Sequence, residues 1–166
     1  MGRVVILVEH GPSGDPVLFA QPREVISAIR PAEVTRALAR AERARAAGAW
    51  VAGYVAYEAG YALEPKLGDL MPRRRQGPLL VLGVFDGPQA ADGFLAEAAE
   101  AGKQSWITPP QPVVSRLRYD AAMARVLAYI AAGDCYQVNL TFPMTARLLS
   151  GSAQGLYGAL RRTGAV

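Results

Sequence analysis

Two stretches of this chain hold side chains of the types and spacings that do chemistry. In Tyr57-Glu58-Ala59-Gly60-Tyr61-Ala62-Leu63-Glu64-Pro65, two tyrosines and two carboxylates crowd together. A pair of carboxylates can divide general acid and general base work, provided their separation lets both reach one bond. Sequence does not fix the separation of Glu58 and Glu64, and no partner residue stands beside them. A structural role leads: Glu58 held by an arginine or a backbone N–H, and Tyr57 and Tyr61 packing their rings and bonding through their hydroxyls. The second stretch is Ala132-Gly133-Asp134-Cys135-Tyr136-Gln137-Val138-Asn139-Leu140-Thr141. Asp134, Gln137 and Asn139 come after a glycine that stops a helix, a position from which side chains reach freed backbone groups or a ligand.

Other chemistries find little footing. Cys135 is the one cysteine, so it forms no internal disulfide and no metal-ligand cluster, which fits a reducing compartment and predicts a cytoplasmic protein. A nucleophilic thiol needs a neighbouring base, and the one histidine, His10, is remote in sequence. Cys135 therefore reads as a half-buried small apolar residue. Lys and Arg number 18 against 14 Asp and Glu, a formal +4. The one dense basic run, Arg73-Arg74-Arg75, lies between Pro72 and Gly77-Pro78 and reads as a solvated loop. No basic stripe alternates with aromatics, so nucleic-acid binding is not expected. The apolar run at residues 4–8 is too short for a secretory core or a membrane span, and the chain reads as soluble, with no membrane partner.

The elements that must position these residues emerge from periodicity. Residues 4–9 form an aliphatic run ended by the turn cluster 10–15, a buried strand. Residues 17–21 predict a second strand, paired with the segment after it, and 25–29 a third; tight turns between them favour antiparallel pairing. Pro31 suits the first turn of a helix, and Val34, Leu38, Ala41 and Ala44 recur at helical spacing until Gly48. Arg36, Arg40 and Arg43 with Glu33 and Glu42 make its outer face a solvated, mixed-charge one. Residues 50–57 are strand-like, and Gly53 within them marks a bulge or the close approach of another backbone. A strand at 79–85 and a short helix at 90–101 come next. Residues 102–112, barred from helix by Pro109-Pro110, read as a crossover linker. From 117 to Gly133 a helix aligns Tyr119, Met123, Val126, Leu127 and Ile130, with Asp120 in its first turn. Residues 136–148 predict a strand interrupted at Pro143, and 154–163 a last helix whose Leu156 and Leu160 are expected to find nothing to rest on, as in a chain cut short. The sum is an α+β fold of antiparallel sheets flanked by helices, long enough to bury a core.

The stretches Gly53-Tyr54-Val55-Ala56 through Pro65 and Gly133 through Leu140 resemble those of the chorismate-utilising synthases. The first is similar to the branch of aminodeoxychorismate synthase component I (para-aminobenzoate synthase). That resemblance implies a partial version of a fold in which two antiparallel sheets face each other with helices outside, residues 1–112 being the amino-terminal region and 113–166 the start of the chorismate-binding region. It implies an enzyme converting chorismate and ammonia to 4-amino-4-deoxychorismate on the way to 4-aminobenzoate and folate. A glutamine amidotransferase partner would supply the ammonia, and Mg²⁺ would hold the substrate carboxylate. In the family the metal ligands, a lysine and the acid/base groups lie in the carboxyl-terminal half, expected beyond Val166. No catalytic or metal residue is therefore assigned, and the 166-residue chain is expected to be inactive and to bind no metal. Tyr57, Glu58, Tyr61, Glu64, Asp134, Gln137 and Asn139 are expected to support the cleft. Glu9, His10, Val17, Leu18 and Phe19 correspond in position to an aromatic-ligand pocket that binds tryptophan in relatives, although His10 replaces a serine of the regulatory signature, which argues against such feedback. The alternatives are a stand-alone module that binds a small molecule or docks on a partner, and a fragment of an anthranilate or isochorismate synthase.

Overall fold

In the computed structural model, which describes residues 5–164, the strands sort into short antiparallel sheets. Expectations for residues 1–4, including the first residue of the opening strand, and for residues 165–166 lie outside this span. Two compact units are present, one up to Phe94 and one from Leu95.

In the first unit, β1 (Val5–Val8) and β2 (Val17–Ala20) form a hairpin with Val8 opposite Val17 and Ile6 opposite Phe19. Sequence predicts that β2 pairs with the segment directly after it, and the structure differs. Gln21 takes a left-handed φ of 56° and Pro22 turns the chain away, so β3 (Glu24–Ala28) joins a different sheet. After β3 a single 3-10 turn, Pro31–Glu33, leads into α1 (Val34–Ala46). Glu33 clamps this start: its carboxylate accepts from the N–H groups of Ile29 and Arg30 and from Arg30 Nε. Those donors, the Arg30 backbone N–H foremost, lower its pKa from 4.5 to about 2.

The chain continues through β4 (Trp50–Val55), α2 (Ala59–Leu63), a 3-10 segment at Pro65–Leu70, β5 (Leu80–Phe85) and β6 (Gln89–Ala90). β6 closes the first sheet on β2, and β5 lies centrally in the second, between β3 and β4. Alternation along β5 divides its side chains. Leu80, Leu82 and Val84 face α1 and α2, where they join Ile26, Ala28, Val34, Ala37, Ala41, Ala59 and Leu79 in the core. Phe85 points the other way and meets Phe19 of β2, ring centroids 5.4 Å apart, while Trp50 stands 6.0 Å from Phe19. Alanines on α1 let the helix sit close to the sheet. The mixed-charge face is as expected, and Arg40 also reaches Glu24 on β3.

The second unit holds most of α3 (Asp92–Gly102), then β7 (Trp106–Ile107), β8 (Gln111–Pro112), α4 (Arg116–Ala132), β9 (Met144–Thr145), β10 (Leu148–Ser150) and α5 (Ala153–Arg161). β7 pairs with β10 and β8 with β9, so the expected linker carries two short strands. Residues 136–143 are irregular rather than a strand. They have strand composition, but a ladder needs a neighbour, and none of the described strands lies alongside them. α5 does find a partner, through glycine rather than leucine. Gly155 and Gly158 are buried, and the backbones of Ala101 and Ala98 lie where a Cβ would stand.

Candidate functional site

The two chemically rich stretches belong to different units. In the first unit, β4 ends at Val55 and Ala56 N–H still donates to Leu79 C=O at 2.8 Å, so the strand delivers Tyr57 at the rim of its sheet. Ala59, almost fully buried, anchors the short α2 in the core. Tyr57 and Tyr61 on successive turns then meet edge to face with centroids 6.3 Å apart. Tyr57 is 87% exposed, and neither hydroxyl makes a hydrogen bond among the described residues. With Gly60, Leu67 and Leu70 the two rings line an open, largely apolar cavity of about 420 Å³.

The carboxylates of this stretch do different things. Glu64 accepts from Lys66 N–H at 3.3 Å and caps the adjoining 3-10 segment, an ordinary structural use. Glu58 makes neither the ion pair nor the backbone bond expected of it among the described residues.

In the second unit, Ser115 caps α4 by accepting from Arg118 N–H, and Gly133 ends the helix at φ 80°. Asp134 N–H returns to Tyr129 C=O at 2.9 Å and Gly133 N–H to Ile130 C=O, a glycine-terminated C-cap of the kind its sequence predicts. Beyond it Asp134, Gln137 and Asn139 are exposed, and their side chains make no hydrogen bond within the described residues. Cys135 is half-buried. The segment is tethered farther on, where Phe142 meets Tyr119 of α4 edge to face at 5.4 Å. Because α4 starts at Arg116, Asp120 lies one turn into the helix rather than in its first turn, and it pairs with Arg116.

The residues in the place of an aromatic-ligand pocket divide in two. Leu18 and Phe19 are buried, Phe19 in the aromatic contact of the core. Val17 borders an open cavity of about 420 Å³ with Asp15, Pro16, Pro88 and Gln89. His10 is exposed and Glu9 half-buried in the bend after β1.

Chemically, these sites offer exposed rings, amides and carboxylates. Among the described residues no three His, Cys, Asp or Glu side chains gather where they would hold a metal ion, so the Mg²⁺ implied by the resemblance has no fitting ligand set among them. No helix of the described residues is long and apolar enough to cross a membrane. One residue with a structural task was missed in sequence. Arg75 reads as part of a solvated run, yet it is half-buried, with Nη1 donating to Pro72 C=O at 3.0 Å and Nη2 to Ile29 C=O at 2.9 Å. The Pro72 and Gly77-Pro78 flanks, which confine the loop, were the available signal.

The family described as chorismate binding enzyme has a sequence model that matches residues 5–165. No curated protein and no solved structure matches the chain.

Proposed function

The chain belongs to the chorismate binding enzyme family, and from that premise we propose that it forms the amino-terminal part of component I of an aminodeoxychorismate synthase. The parent enzyme would exchange the ring hydroxyl of chorismate for an amino group, using ammonia from a glutamine amidotransferase. The stretch at residues 53–65 supports this branch over anthranilate and isochorismate synthases by its resemblance.

What carries the reading of a part is the exposure of α4. None of its 17 residues is buried, although Leu117, Leu127, Tyr129 and Ile130 are large and apolar. A helix of this kind gains its stability from burying an apolar stripe against another layer, and among the described residues no layer buries that stripe. Irregular residues 134–143 run on from it, and the side chains of Asp134, Gln137 and Asn139 make no hydrogen bond within the described residues. Both features fit the wall of a cleft whose reacting groups come from further protein. In this reading Tyr57, Tyr61 and the polar trio shape and support, and no group of the described chain transfers a proton to substrate.

The test is product analysis of the protein made from the complete reading frame, given chorismate, ammonia and Mg²⁺. 4-Amino-4-deoxychorismate is expected. Anthranilate or isochorismate as the product would overturn the branch assignment.

A further inference from the structure

Between β4 and β5 the chain passes through a loop at residues 71–78 that holds a fixed cation beside a free one. Arg75 is fixed by its two outer nitrogens, which donate to Pro72 and Ile29 carbonyls, while its Nε is buried without an acceptor among the described residues. A buried N–H left unpaired carries its desolvation cost uncompensated, and it keeps the positive charge of the guanidinium poorly answered. Tyr54 adds to the frame by donating its hydroxyl to Pro78 C=O at 3.4 Å.

Next to this frame lies a cavity of about 430 Å³, bordered by Tyr54, Glu58, Arg74, Arg75, Gln76 and Leu79 among others. That volume lies in the range of small-molecule sites. Its charged lining is two guanidiniums against one carboxylate, a surplus of one positive charge. Arg74 and Glu58 border the same cavity, yet neither side chain takes an ion pair or hydrogen bond with another described residue. A guanidinium free to turn presents the planar fork that matches a carboxylate or phosphate head, and Arg75 adds a second, immobile charge that needs no ordering when a guest arrives.

We propose that this cavity binds a small organic anion, its carboxylate or phosphate head on Arg74 within the field of Arg75. The site is independent of the family assignment and of any turnover by the parent enzyme.

The experiment uses the ¹⁵N-labelled 166-residue chain and tracks the arginine Nε–H resonances while inorganic phosphate or acetate is added at constant ionic strength. Saturable shifts of the Arg74 and Arg75 signals are expected, and the head group that saturates at lower concentration identifies the preferred chemistry. Arg74→Ala should weaken binding about tenfold, the loss of one charge-assisted contact. Glu58→Gln should tighten it about two- to fivefold by removing a like charge. Neither replaced side chain holds a bond within the fold, so both variants keep their structure, and Arg75, which ties the loop, is left intact. Three results would overturn the proposal: shifts that stay linear with both anions, affinity unchanged in Arg74→Ala, or binding weakened in Glu58→Gln.

Discussion

Gly53→Ala is the most demanding test of how the sheet presents residues 57–65. Gly53 sits opposite Leu82 in the β4–β5 ladder, and a Cβ built on it would stand 2.9 Å from Leu82 Cα, with the Val81 carbonyl oxygen nearer still. Carbon atoms need about 3.5–4.0 Å, so the two backbones must part by roughly 0.6–1 Å. Backbone atoms cannot swing aside as a flexible side chain would. Opening a hydrogen bond of about 2.9 Å by that much takes it past the useful range, so one or two ladder bonds are lost at about 1 kcal/mol each. Forcing a methyl group into a filled site adds about 1–3 kcal/mol, for a total near 3 kcal/mol. Urea unfolding monitored by Trp50 fluorescence in a Trp106→Phe background reads the first unit alone. With a slope of about 2 kcal/mol/M the midpoint should fall by about 1.5 M. Gly60→Ala, seven residues on in the same stretch and with open space around it, is the control; in α2 it should be neutral or stabilising by up to about 1 kcal/mol. A Gly53→Ala midpoint equal to that of Gly60→Ala would refute the close approach.

The same geometry sets further outcomes. In the second unit, Gly158→Ala places a methyl group on the Ala98 carbonyl and should cost about 1–3 kcal/mol, read by Trp106 fluorescence in a Trp50→Phe background; no change would mean that α3 and α5 do not meet there. The Glu33 carboxyl, lowered from 4.5 to about 2, favours the fold only when ionised, so its contribution is complete above pH 4.5 and fades as pH falls towards 2. An NMR titration of the Glu33 side-chain carboxyl carbon giving its ordinary value would contradict the clamp at the start of α1. Leu117 is 80% exposed, so Leu117→Lys should change stability by no more than about 0.5 kcal/mol, whereas a loss above about 2 kcal/mol would show that α4 is covered.

Local rules made much of this legible. Pro31 and Gly48 bracket α1, and the apolar runs at 25–29 and 79–85 identify two strands of the second sheet. Gly53 in a strand signals a close backbone, and the Val81 carbonyl provides it. Gly133 signals the end of α4 and takes the left-handed conformation it alone adopts cheaply. What stays hidden depends on neighbours distant in sequence. Strand composition at 136–148 yields two short strands and an irregular run, because ladder partners rather than propensity decide. α5 buries its glycines because backbone proximity to α3 outweighs the reach of Leu156 and Leu160. At the candidate sites the packing of the Tyr57 and Tyr61 rings was expected and is found, while the bonds expected of their hydroxyls are not made among the described residues. The unpaired state of Glu58 and the anchoring of Arg75 were not legible, since both depend on where loop carbonyls and arginines come to rest.

We propose that this chain shapes and supports a chorismate site whose reacting groups lie elsewhere. This proposal is tested most directly by incubating the purified 166-residue protein with chorismate, ammonia and Mg²⁺ and resolving the products by chromatography. Chorismate should be consumed no faster than in a protein-free control. 4-Amino-4-deoxychorismate forming above that control would contradict the proposal.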